Sequence, residues 1–252
     1  MPSRLDIVIP VYNEGANIVA TLAALARLVK TPCRVLICYD FPEDNTLPAI
    51  ESGRAQYPAL AVEFVRNKSR GAHYAIMAGF AASTAPYVLM FPADHDFEAG
   101  IVDPMMAKAE EGYDIVCASR LMKGGSLVGC PPVKEFVTRA GKFSLYFLAQ
   151  LPTHDASSGF RLFSRRVIDT IAIETETGFC FSIELLVKAH RLGWRIGEVP
   201  ARWIERSQGQ SRFQVLRWLP AYFRWYLYAL GTTWLHRGPE TVTLRTKGAV
   251  HG

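Results

Sequence analysis

The chain has 252 residues, 50% hydrophobic and 20% charged, a composition that excludes a disordered or fibrous protein and suffices for one large α/β domain or two small ones. Its formal charge of +5 suits an anionic partner such as a nucleotide, a nucleic acid or a membrane surface. The excess is concentrated at the C-terminal end, where residues 202–252 hold eight Lys and Arg against Glu205 and Glu240.

Five cysteines (Cys33, Cys38, Cys117, Cys130 and Cys180) are odd in number and form no Cys-x-x-Cys pair. Neither a disulfide framework nor a zinc site is indicated, and a reducing cytosol is the expected compartment. The N-terminus enters a strand at once, without an apolar signal-peptide core. Residues 5–12 read as that strand, and Asn13–Asn17 turn it into a helix whose Ile18, Leu22, Leu25 and Val29 keep helical spacing. A second strand is expected over 34–40, followed by a helix with Pro48 in its first turn. A third, over 62–66, leads through the polar loop 67–71 into a helix ending near Ala82. The fourth strand runs into Asp94, a helix follows over 101–111, and a fifth strand covers 114–120. This alternation predicts an α/β fold with a mostly parallel, Rossmann-like sheet and helices on both faces.

Beyond Arg120, the glycines and prolines of 122–132 predict a long loop of the kind that serves as an active-site lid. A helix is expected from Lys134 to about Leu151, then a polar turn and short strand over 155–164. A helix over 179–192 closes at Gly193, and 194–206 alternates as one strand. Residues 213–235 are helical and aromatic, with Trp218, Tyr222, Phe223, Trp225, Tyr226, Tyr228 and Trp234 among Arg217 and Arg224. The uncharged run from Trp225 to His236 falls short of the ~20 residues of a spanning helix. This segment suits an amphipathic helix lying in a membrane interface, and equally one packed on the domain. The expected division is therefore a catalytic domain over 1–212 and a basic, amphipathic segment over 213–252.

The fourth strand ends in Asp94, Asp96 and Glu98, three acids at alternate positions. Carboxylates leaving the C-terminal end of a buried strand are placed where open α/β sheets bind ligands. In an extended segment Asp94 and Asp96 project to one side, and hard oxygen ligands suit Mg²⁺ or Mn²⁺ completed by phosphate oxygens. An acidic turn that merely caps a strand would have the same sequence. His95 projects to the other side.

Six motifs occur in order: Ile9-Pro-Val-Tyr-Asn-Glu14, an acidic turn after the second strand, Asp94-His-Asp96, Ala118-Ser-Arg120, Asp155-x-x-Ser-Gly-Phe-Arg161 and Arg206-x-x-Gly-x-Ser-Arg212. Together, over residues 5–215, they resemble the family-two glycosyltransferases of the A-type fold. The resemblance is strongest to the polyprenol-phosphate branch, which is dolichol-phosphate mannose or glucose synthase-like. It implies a GDP- or UDP-linked sugar donor bordered by Pro10, Tyr12 and Glu14, with Asp40 reaching the base or ribose. It places Mg²⁺ or Mn²⁺ on Asp94 and Asp96, with Glu98 at a third position that is often Gln in relatives. Arg120, Lys134 and Thr138 match positions that grip an acceptor phosphate, and Arg206 and Arg212 match those that close on the donor diphosphate. Ser157, Ser158 and Gly159 would bring backbone close to the sugar or the diphosphate, and Asp155 would face the acceptor side. Glu184 is family-like too, although helix solubility accounts for it as well. The chain departs from the pattern at Tyr39–Thr46, which stands in place of the usual Asp-Asp-Gly-Ser-x-Asp-Gly-Thr and keeps only Asp40, Asp44 and Thr46 of its signature. The donor base is thereby left open.

The function implied is inverting, metal-dependent transfer of a mannose- or glucose-type hexose to polyprenyl or dolichyl phosphate. It would take place at the cytoplasmic face of a membrane, with or without a membrane subunit, and with Asp96, Asp155 and Arg120 as the catalytic set. Two alternatives stand beside it. One is a peripheral glycosyltransferase acting on a sugar or lipid hydroxyl, for which Asp155 would be the base. The other is a nucleotide-sugar-binding or scaffold protein without turnover, against which the costly cluster of charges argues. No nucleic-acid-binding module is present.

Overall fold

Short runs of Val, Ile and Leu, too apolar for a surface strand, dictate a sheet buried on both faces. The computed structural model describes residues 3–204 and 215–246, with the side chains of Val133, Lys134 and residues 215–217 outside the description. In chain order the elements are β1 (Leu5–Pro10), α1 (Ile18–Leu28), β2 (Cys33–Tyr39), α2 (Thr46–Gly53), β3 (Ala61–Arg66), α3 (Ala72–Ala82), β4 (Tyr87–Met90), α4 (Val102–Glu110) and β5 (Ile115–Ser119). There follow β6 (Ser126–Val128), α5 (Pro132–Phe143), β7 (Arg161–Ser164), α6 (Arg165–Thr170), α7 (Phe181–Arg191), β8 (Ile196–Pro200), β9 (Arg202–Ile204) and α8 (Val215–Trp234).

Seven strands form one sheet in the order β3-β2-β1-β4-β7-β5-β8, parallel throughout except for β7, which runs antiparallel to both β4 and β5. Because β1 lies between β2 and β4, the strand order reverses at β1, and the crevice beyond the carboxyl ends of β1 and β4 is the place for a ligand.

Alternate residues of β1 serve two cores. Leu5, Ile7 and Ile9 pack with Ile18, Leu22 and Leu25 of α1 and Met105 of α4. Val8 packs on the other face with Ile76 and Phe80 of α3, Phe181 of α7, and Trp225 and Ala229 of α8. Gly79 lets α3 sit this close, since a Cβ there would stand 2.5 Å from Val8 Cγ1 and 2.7 Å from Cys38 Sγ.

Three elements differ from the sequence expectation. The strand expected over 194–206 divides at Ala201: β5 ends at Ser119, so β8 runs out of partner and the chain crosses to pair in parallel with β6. β6 lies inside the stretch expected as an unbroken loop. The helix expected to reach Leu151 begins at Pro132, where a missing N–H costs nothing, and widens after Phe143 into a π turn over Ser144–Leu148.

α8 is docked by polar contacts as well as apolar ones. Trp225 is 2% exposed, and its Nε1 donates to Thr175 Oγ1 at 2.6 Å. The ammonium of Lys188 sits 4.9 Å above its ring and is neutralised by Glu174 and Glu184, each at 2.7 Å. Glu184 also accepts from the N–H groups of Glu174 and Thr175. It is a buried structural charge, not a helix-surface acid.

Candidate active site

The loop after β1 is folded by the acidic turn after β2. Asn13 takes a left-handed conformation (φ 56°), which Asn tolerates better than most residues. Its N–H donates to the carboxylate of fully buried Asp44 at 3.0 and 3.1 Å. Asp44 also accepts from Thr46 N–H at 2.8 Å, and Thr46 Oγ1 accepts from Glu14 N–H at 2.9 Å. Asp44 and Thr46, kept in the altered turn, therefore shape the Tyr12–Glu14 loop from behind. Pro10 closes β1, Tyr12 is half exposed with its ring edge-on to Phe41 at 5.4 Å, and Glu14 accepts from Asn17 Nδ2 at 2.8 Å. Beside them opens a cleft of about 780 Å³ lined by residues 40–43 and 66–70. Asp40 forms part of its wall with both oxygens engaged, one by Asn67 Nδ2 and the other by Gly71 N–H at 2.9 Å.

The β4 end departs from the extended geometry that the spacing of its acids suggested. The chain bends at His95 (φ −112°, ψ 45°), and Asp96–Ile101 form a 3₁₀ turn. His95 is buried against Phe97 and Phe160, with Nδ1 3.1 Å from Asp94 Oδ1. Asp96 is exposed and makes no hydrogen bond or ion pair with any described residue. Glu98, expected as a third metal ligand, is 6% exposed and turned to Arg202, whose Nε donates to it at 3.1 Å. The turn swings alternate residues to different sides, so the spacing argument fails for Glu98. Among the described residues no three His, Cys, Asp or Glu gather as a metal cluster. The bend at His95 also falls between Asp94 and Asp96, so their spacing no longer places them on one side. What fits Mg²⁺ or Mn²⁺ is the chemistry of the two carboxylates, since such an ion is commonly held by one or two of them together with substrate phosphates.

On the far side of β7 the central feature is an ion pair. Arg120 follows β5, and its Nε and Nη2 donate to the two oxygens of Asp155 at 2.6 and 2.8 Å, while its backbone N–H donates at 3.1 Å. Nη2 also reaches Ser157 Oγ at 3.1 Å. Nη1 has no hydrogen-bond partner among the described residues. Asp155 is 1% exposed. Burial alone would raise its carboxyl pKa, but the Arg120 guanidinium overrides this and holds it below the ordinary 3.8. At neutral pH Asp155 is a committed carboxylate, poorly suited to take a proton.

Arg161, quoted above as part of a motif but assigned no role, is fully buried and donates to the carbonyls of Asp155, Ala156 and Ser182, fixing the 155–158 loop. Next to it, His154 pairs through Nδ1 with Glu198 and stacks on Tyr146 of the π turn at 4.2 Å. Neither His154 nor Glu198 had a sequence signal, since their partners lie on remote elements. Thr138 is half buried on α5, and Lys134 lies on the same helix. Arg206 and Arg212 lie outside the described residues.

Such a sheet, with acids beyond β4 and a clamped arginine beyond β5, belongs to the open α/β class, which receives ligands at the carboxyl ends of its strands. The family model described as Glycosyl transferase family 2 matches residues 6–172, and the chain belongs to that family: it is a glycosyltransferase. An undecaprenyl-phosphate mannosyltransferase of Micrococcus luteus is 29% identical over 214 residues, 83% of this chain and 87% of that protein. An undecaprenyl-phosphate 4-deoxy-4-formamido-L-arabinose transferase of Shewanella sediminis is 30% identical over 213 residues, again 83% of this chain. A dolichol-phosphate mannosyltransferase of Pyrococcus furiosus is 22% identical over 233 residues. The chain spans 61% and 64% of these last two. The fold is shared with glucosyl-3-phosphoglycerate synthase from Mycobacterium tuberculosis, crystallised with Mn²⁺, UDP and glucosyl-3-phosphoglycerate. The TM-score is 0.64 at 18% identity, over 91% of this chain and 80% of that one.

The Arg120–Asp155 pair carries a pH signature. A carboxyl whose folded pKa is lowered contributes stability that is fully present above the unfolded value and is lost as pH falls through the folded one. Asp155→Asn, which leaves a buried guanidinium half-paired, should cost about 3–5 kcal/mol at pH 7. The gap to wild type should narrow below pH 3.8. Urea unfolding at pH 7 and pH 3 checks this, and an equal gap at both would show that Asp155 is not held as a carboxylate.

Proposed function

We propose that the chain is an inverting glycosyltransferase that moves a hexose of mannose or glucose type from a nucleotide diphosphate-sugar to a polyprenyl phosphate. The observation that carries this reading is the Arg120–Asp155 clamp. An acceptor hydroxyl needs a base near the anomeric carbon, and the best-placed acid is already spent as the counter-ion of an arginine. An acceptor phosphate carries about −1.5 to −2 charge at neutral pH and needs no base. What it needs is a cation oriented to receive it, and Asp155 holds Arg120 rigidly with Nη1 unpaired among the described residues, in the planar geometry that suits phosphate oxygens.

In this mechanism an acceptor phosphate oxygen forms its bond to the anomeric carbon from the face opposite the leaving group. The bond from that carbon to the donor diphosphate breaks, its electron pair departs with the nucleoside diphosphate, and the configuration inverts. Arg120, with Lys134 and Thr138 of α5, docks the acceptor. Tyr12 and Glu14 border the donor, and Arg206 and Arg212 close on its diphosphate. Asp94 and Asp96 would hold Mg²⁺ or Mn²⁺ against the same diphosphate, where the ion acts as a Lewis acid for the leaving group. The names of the Micrococcus, Shewanella and Pyrococcus relatives support a polyprenyl-phosphate acceptor.

The surface suits an acceptor embedded in lipid. No helix among the described residues is long and apolar enough to cross a membrane. Phe136, Phe143 and Phe147 on α5 and its π turn, and Leu219, Phe223 and Leu227 on α8, are each at least half exposed. The two helices meet where Trp234 Nε1 donates to Leu148 O at 3.2 Å. In this reading the exposed face rests on the cytoplasmic side of a membrane, beside the clamp.

Two measurements test the proposal. Arg120→Ala should lower kcat/KM for polyprenyl phosphate by about 10- to 100-fold, the scale of a lost charge-assisted contact, with inverted product from the residual activity. A near-normal Arg120→Ala enzyme or a retained configuration would refute the mechanism. Phe223→Glu with Leu227→Glu should abolish cosedimentation with phosphatidylglycerol vesicles, and undiminished sedimentation would remove the membrane reading.

A further inference from the structure

We propose that Asn67 reads the base of the sugar nucleotide, and that this base is a pyrimidinedione, uracil or thymine. The inference rests on the glycosyltransferase reading above, because it concerns the nucleotide of the same donor.

Asn67 follows β3, is 5% exposed, and stands in the wall of the 780 Å³ cleft. Its backbone N–H donates to Tyr39 O at 3.0 Å and its Nδ2 to Asp40 Oδ1. A carboxylate only accepts hydrogen bonds, so Asp40 dictates which way the amide faces: nitrogen to Asp40, oxygen away from it. Asp40 is itself held by Gly71 N–H. Asn67 Oδ1 is consequently a buried acceptor to which nothing in the described structure donates. Buried acceptors without a donor are few in native proteins and call for an explanation. A ligand N–H supplies one here, because the cleft lies beyond the carboxyl ends of β2 and β3, where an α/β sheet receives a nucleotide.

The surroundings select among bases. Arg66, Lys68 and Arg70 line the same cleft with exposed cationic heads that can only donate. An acceptor flanked by donors matches a ring edge that runs carbonyl, N–H, carbonyl, which uracil and thymine possess. Cytosine presents a bare ring nitrogen to the acceptor, and guanine sets an amino group beside its ring N–H, facing cations. Phe41, also in the wall, offers a ring for a flat base to lie against. The role of Asp40 is then to aim Asn67, which accounts for its presence, beside Asp44 and Thr46, in a turn that has lost the rest of the family pattern.

The test is calorimetric titration of the full chain, with Mg²⁺, by UDP, CDP, GDP, ADP and N3-methyl-UDP. UDP should bind at least about tenfold more tightly than CDP, GDP or N3-methyl-UDP, the size of one hydrogen bond lost with its partner left unsatisfied. In Asn67→Ala, UDP should weaken by about that factor while N3-methyl-UDP is unchanged relative to wild type, because the two deletions remove the same contact. Tighter binding of GDP than of UDP, or undiminished binding of N3-methyl-UDP by wild type, would overturn the inference, the second without requiring the variant to fold. A GDP preference would leave the glycosyltransferase reading intact, whereas failure to bind any of these nucleotides would overturn both.

Discussion

The arrangement of the loops beyond β5 and before β7 depends on one buried ion pair. Asp155 has no water to solvate it and would be intolerable alone, so it must be met by Arg120, and meeting it ties the end of β5 to the loop that precedes β7. Arg161 holds the same loop by its carbonyls from beneath. A buried pair of this kind is weak as a source of net stability, because desolvation offsets the Coulomb attraction. Its value lies in orientation: one guanidinium is presented at a set place and angle, with its charge partly satisfied and one nitrogen left over. In the proposed function, a base for a hydroxyl acceptor is thereby given up and a docking cation for an anionic acceptor is gained.

The loops after β1 and β3 follow the same logic, with carboxylates met by backbone N–H and amide groups instead of by a cation. Asp44 and Thr46 hold the loop after β1, and Asp40 holds Asn67, so the crevice is lined by side chains whose own orientations are set by a layer behind them. Preorganisation of this kind spares a bound donor the cost of ordering its own site. Asp96 is the exception, exposed and without a side-chain partner among the described residues.

Much of this was legible in the sequence. The apolar runs of β1 to β5 alternate with helical spacing, and their ends name the crevice because strand direction alone decides where its acids emerge. β7 was legible as a strand but not as an antiparallel one wedged between β4 and β5, since four residues carry no directional signal. The spacing of Asp94, Asp96 and Glu98 misled, because alternation speaks of one face only while the chain stays extended, and here it bends at His95 and coils. Asp155 could be placed but not understood, for its partner lies 35 residues away and the pairing inverts its chemistry from base to counter-ion. The aromatic stretch of α8 was ambiguous by nature: Trp225 is buried and Phe223, two residues earlier, is more than half exposed, and only the packed domain separates the two faces.

The central claim is that the acceptor's own charge replaces a general base. The most direct measurement is transfer from one labelled donor to polyprenyl phosphate and to the corresponding polyprenol, under identical conditions. The account predicts a glycosyl phosphodiester from the first and no product from the second. Transfer to the free alcohol at a comparable rate would contradict it.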